Sequence, residues 1–79
     1  MSEMLKYKGR LSEKKLELKR VEIKFNGLLK AIRNELDPFE KIKNIHVDQV
    51  MELAIELSKL KIDHDALVCE IEAIEKVIR

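Results

Sequence analysis

The 79-residue chain has no tryptophan, one cysteine, one proline and two glycines, and its aromatic residues are Tyr7, Phe25 and Phe39 alone. Each scarcity removes a class of structure. With Cys69 as the single cysteine no intrachain disulfide can form, so a stapled secreted scaffold is excluded, and a lone thiol suits a reducing compartment. The start shows no basic segment followed by an apolar one, and no stretch approaches 18 uncharged apolar residues. Neither a signal peptide nor a membrane span is therefore expected, and the expected location is cytoplasmic. A Gly-rich phosphate loop, Cys-x-x-Cys, His-Glu-x-x-His and a nucleophile elbow are all missing. Two long helices would also offer no obvious concave pocket. The expectation is a protein that is not an enzyme and takes no cofactor.

What the chain does contain is 46% hydrophobic and 39% charged residues, the profile of long helices or coiled coil and not of a disordered chain. From Met4 the positions Tyr7, Leu11, Lys14, Leu18, Val21, Phe25, Leu28, Ile32 and Glu35 follow in alternating steps of three and four. They form a heptad seam interrupted only by Lys14 and Glu35. Asn26-Gly27, a dipeptide typical of hairpin turns, lies inside this run, yet the seam keeps its phase from Phe25 to Leu28. Helix 1 is thus predicted over residues 2–36, with Gly27 in its interior at a cost of roughly 1 kcal/mol relative to Ala.

The predicted break is Asp37 to His46, where Pro38 lacks the N–H that a helix interior requires. Asp37 and Pro38 read as the N-cap and first residue of a short helical turn, with Phe39, Ile42 and Ile45 capping the end of the core. A second seam follows: Val50, Leu53, Leu57, Leu60, His64, Leu67, Ile71, Ile74 and Ile78. It places helix 2 over residues 47–79. Matched helices of about 50 Å, at ~1.5 Å per residue, with a short connection predict one all-α domain over residues 1–79, an antiparallel helical hairpin.

Both helices carry a second apolar stripe opposite the seam. On helix 1 it comprises Leu5, Gly9, Ser12, Leu16, Ile23 and Gly27; on helix 2 it comprises Met51, Ile55, Ser58, Ile62, Ala66, Cys69 and Ala73. A helix apolar on two sides is expected to be buried on two sides. Homo-oligomerisation is the predicted outcome, a two-fold dimer forming a four-helix bundle being the first choice and a tetramer, a layered array or a complex with another protein the alternatives. Gly9 and Gly27 would allow close approach of a neighbouring helix.

The polar residues on the seams are the candidates for chemistry. Lys14 is predicted to approach Cys69 and Glu70, and His64 to lie beside Leu18 to Glu22 with Glu17 or Glu22 accepting its proton. A register-setting role suits both. The di-iron bundle pattern needs Glu three residues before His64, where Lys61 stands, so no metal site is expected. Cys69 reads as a small packed residue, and His46 with Asp48 as a solvated helix start. Charge is uneven: residues 1–33 carry ten Lys/Arg against four Glu, and residues 34–79 six against eleven Asp/Glu. A basic helix 1 beside an acidic helix 2 predicts neutralisation within the hairpin. The alternative reading is a small RNA- or DNA-binding regulator presenting Lys6, Lys8, Arg10, Lys15, Lys19, Arg20 and Lys24 on a dimeric bundle, an architecture that resembles small RNA-binding helical hairpins without sharing a motif.

Overall fold

A computed structural model describes residues 3–78; Ser2 and Arg79, where the predicted helices begin and end, lie outside the described residues. The chain forms α1 (Glu3–Glu35) and α2 (Val47–Ile78), joined by a connection containing a 3₁₀ turn, Ile42–Asn44. The helices pack along their length as an antiparallel hairpin measuring 62 × 16 × 14 Å. Gly27 is helical and interrupts nothing, since no glycine among the described residues has positive φ. Charges at the ends agree with the helix dipoles, with Glu3 and Asp48 in the first turns and Arg33 and Lys76 in the last.

The packing follows the heptads. Every seam position of α1 from Tyr7 to Glu35 and all nine of α2 are at least half-buried, while Met4 at the open end is exposed. The only buried side chains among the described residues are Leu67 and Ile71, each 7% exposed. Two helices alone can shield one stripe of each other and no more. The total accessible surface is consequently 6630 Å², where a compact protein of 9.3 kDa exposes roughly 5,000 Å².

The connection departs from expectation. Leu36 N–H makes the last α1-type bond to the Ile32 carbonyl at 3.0 Å, and Pro38 then ends the ladder. Asp37 does not start a helical turn. Its Oδ1 accepts the Phe39 N–H at 2.9 Å and its carbonyl accepts the Glu40 N–H at 3.1 Å, an Asx-supported β-turn with Pro38 in second position. The short helical element comes later, where Glu40 Oε1 accepts both the Lys41 N–H at 3.0 Å and the Asn44 side-chain amide at 2.9 Å.

Phe39 and Ile42 do not cap the core. They are 95% and 89% exposed, and only Ile45 of the expected trio is half-buried. The turn at Asp37 directs the chain away before Phe39 can fold back over the seam. Leu67→Ala is expected to cost about 2–4 kcal/mol in urea unfolding followed by circular dichroism, whereas Phe39→Ser should stay within about 0.5 kcal/mol of the parent. A loss at Phe39 as large as at Leu67 would mean that the connection does close the core.

Candidate interaction surface

With one stripe of each helix spent on the seam, the second stripes lie open. Leu5, Leu16, Ile23, Met51, Ile55 and Ile62 are 52–67% exposed, and Gly9, Ser12, Ser58, Ala66, Cys69 and Ala73 are exposed beside them. The structure thus puts these residues on the two outer edges of the hairpin, one edge per helix. Cys69 is a free, exposed thiol and not a packed residue, because no third helix covers its stripe.

Gly27 is the exception in placement. It borders a groove between the helices with Lys24, Leu28, Glu56, Lys59 and Leu60, and so is not turned fully away from its hairpin partner. A 3.5-residue seam drifts about 20° per heptad against a straight 3.6-residue helix, and by the fourth heptad that drift has brought Gly27 round toward α2. A Cβ built at Gly27, or at Gly9, meets nothing within 4 Å. The hairpin itself has no steric need for either glycine.

Of the two polar residues predicted to set the register, Lys14 makes a contact across the helices. Lys14 Nζ lies 2.8 Å from Glu70 Oε2 and 4.0 Å from Glu17 Oε2, and the hydrogen bond to Glu70, followed by its charge, raises the lysine pKa above 10.5. Lys14, Val21, Leu67 and Glu70 line one groove, so the clamp stands beside the best-buried part of the core. His64 turns out differently from expectation. Its ring shares a groove with Glu22, Phe25, Asn26 and Lys61, but Nδ1 lies 3.1 Å from Asp65 Oδ1 on its own helix, and neither Glu17 nor Glu22 takes that role. The adjacent carboxylate is within reach without crossing the seam. Asp65 also receives the Lys61 ammonium one turn earlier, and these two partners, Lys61 first, hold its pKa below 3.8.

A second cross-helix contact was not foreseen: His46 Nδ1 lies 3.1 Å from Glu35 Oε2, joining the end of α1 to the start of α2. His46 is thus more than a solvated helix start, while Asp48 has no such partner among the described residues. The only signal for the pair was that Glu35, a charged residue, occupies the last seam position. Among the described residues no group of three or more His, Cys, Asp or Glu is placed to hold a metal ion. No helix is long and apolar enough to cross a membrane.

Neutralisation within the hairpin is also far from complete. Lys14–Glu70 is the only lysine–carboxylate bridge between the helices among the described residues. Lys6, Lys8, Arg10, Lys15, Lys19, Arg20 and Lys24 form none, because at this register their side chains project from the flanks and outer edge. No family model, curated protein or solved structure matches this chain.

The perturbed groups set an acid limb of stability. Asp65 and Glu40, the latter lowered from 4.5 first by Asn44 and then by the Lys41 N–H, contribute stability above their ordinary values and lose it as pH falls through their depressed folded values. Thermal midpoints should therefore hold down to about pH 5 and decline below 4.5, with Asp65→Asn flattening part of that decline. Lys14 works in the opposite sense, its contribution being present at and below 10.5 and lost above its raised pKa. An acid limb unchanged in Asp65→Asn would show that the Lys61–Asp65–His64 cluster adds nothing to folding.

Proposed function

We propose that the chain is a non-enzymatic structural and protein-interaction module, a helical hairpin that self-assembles or docks a protein partner through its two outer apolar faces. The observation that carries this reading is the contrast between two buried side chains in the whole described chain and six large apolar side chains more than half exposed along its edges. A soluble monomer rarely leaves such stripes open. A cytoplasmic setting goes with this reading, supported by the free Cys69 thiol that a reducing compartment would preserve.

A second reading, binding of RNA or DNA, draws on the exposed basic side chains of α1 that have no ion pair. It is the weaker one. Glu13, Glu17 and Glu22 interrupt the cluster, and the half-buried Tyr7 and Phe25 are unavailable for stacking on bases.

Sedimentation should return a mass of at least twice 9.3 kDa at micromolar concentrations. A well-behaved monomer there overturns the self-assembly reading. Gly9→Leu, at an exposed outer-edge site where an added Cβ meets nothing within 4 Å, should reduce that mass if the glycine edge is an interface and leave it unchanged if the edge is solvent. For the second reading, labelled RNA or DNA should shift at low salt and be released as salt rises. No shift at low salt sinks it.

A further inference from the structure

The two outer edges differ in charge. Helix α1 carries ten Lys/Arg against five Glu, and α2 three Lys against eight Asp/Glu, so the helices bear +5 and −5. Among the described residues one lysine–carboxylate bridge crosses the seam, and most of the remaining charged side chains of both helices are exposed. Counted on the heptads, the positions turned from the seam hold Lys6, Lys19, Arg20, Lys30 and Arg33 against Glu13 on α1, and Asp48, Glu52, Asp65 and Glu72 against Lys59 and Lys76 on α2, all of them exposed. The apolar knobs, Leu16 and Ile23 on α1 and Ile55 and Ile62 on α2, are seven residues apart on each edge, so their pitch agrees.

We propose that the occupant of each outer edge is a second copy of this chain, and that the contact is heterologous: the basic outer face of α1 in one copy packs against the acidic outer face of α2 in the next. This rests on the self-assembly reading above and specifies its geometry. Like edges would bring two basic faces or two acidic faces together at the 8–10 Å spacing of packed helices, about one Debye length at physiological salt. Unlike edges bring opposite charges together and bury both apolar stripes. Side-by-side translation of the hairpin keeps every neighbouring pair of helices antiparallel. In the register set by Lys14–Glu70 it leaves Ile23 close to level with Ile62, and Leu16 with the small Cys69.

The areas agree with two such contacts per copy. The hairpin exposes about 1,600 Å² more than a compact protein of its mass, and a standard interface buries about 800 Å² on each partner. A heterologous contact leaves one edge of each kind unused, so it propagates into a ring or a linear stack and does not stop at a two-fold dimer.

Two edge-blocked variants test this. Leu16→Glu with Ile23→Glu blocks the α1 edge, and Ile55→Glu with Ile62→Glu blocks the α2 edge; all four sites are exposed, and circular dichroism verifies that the helices persist. Each variant should sediment as a monomer alone, and an equimolar mixture should form a 1:1 heterodimer, joined by the intact α1 edge of one and the intact α2 edge of the other. The parent chain, run beside them, should be a larger particle. Homodimers of either variant alone would overturn the heterologous contact in favour of like edges. A mixture that stays monomeric while the parent chain assembles would overturn edge-to-edge packing. A monomeric parent chain would instead overturn the self-assembly reading on which the proposal stands.

Discussion

Two helices have one seam, and that limit governs the rest of this molecule. Each helix can hide one stripe against the other, which is why, among the described residues, only Leu67 and Ile71 fall below a tenth exposed in a chain that is nearly half hydrophobic. Adding leucines or isoleucines to the outer edges could not enlarge the core of an isolated hairpin, because no third element exists to meet them. Their presence at Leu16, Ile23, Ile55 and Ile62 is stabilising only in an assembly. In the isolated hairpin they keep apolar surface in water, where it gains nothing from folding.

A long apolar seam has a weakness of its own: a shift by one heptad restores most of its contacts. Lys14 answers it. The ammonium reaches Glu70 at 2.8 Å; a slip of one heptad one way would set the lysine against apolar Val77, and the other way would replace Glu70 with the shorter Asp63. Glu70 lies between Leu67 and Ile71 in sequence, so the polar clamp and the tightest burial occupy the same stretch of the hairpin. The aliphatic part of Lys14 can line the groove beside Leu67 while its charged end stays wet. The His46–Glu35 contact does the equivalent at the closed end, where the connection leaves the seam.

The seams were legible in the sequence because heptad periodicity accumulates over many residues. About six turns before Asn26-Gly27 and two after it outweigh one dipeptide's preference for a turn, and the helix runs through it. The connection was not legible, because Phe39 and Ile42 sit in a segment too short for any period, and hydrophobicity alone suggested burial. Backbone hydrogen bonds decided otherwise: once Asp37 closes its turn on Phe39 and Glu40, the aromatic ring has left the seam. Ion-pair partners were legible only where register alone determines them. Lys14 and Glu70 meet across the seam at a position that counting residues can find, but His64 had carboxylates on both helices to choose from and took the adjacent one.

For the proposed self-assembly, segregation of charge by helix bears on the order of its steps. Opposite net charges favour α1 beside α2 whichever copy supplies them, so the attraction cannot by itself distinguish the hairpin partner from a neighbour. The connection makes that distinction. It holds the chain's own α2 at an effective concentration on the order of millimolar, and the own helix also offers the full heptad seam with Lys14 reaching Glu70. The seam is therefore filled within the chain, and the outer edge meets only copies at their bulk concentration. Long-range attraction is shared by both contacts, but heptad complementarity belongs to the first alone. In the proposed assembly folding accordingly precedes association, and association is the step that added salt would weaken more, since its charges lie on exposed flanks where counterions reach them.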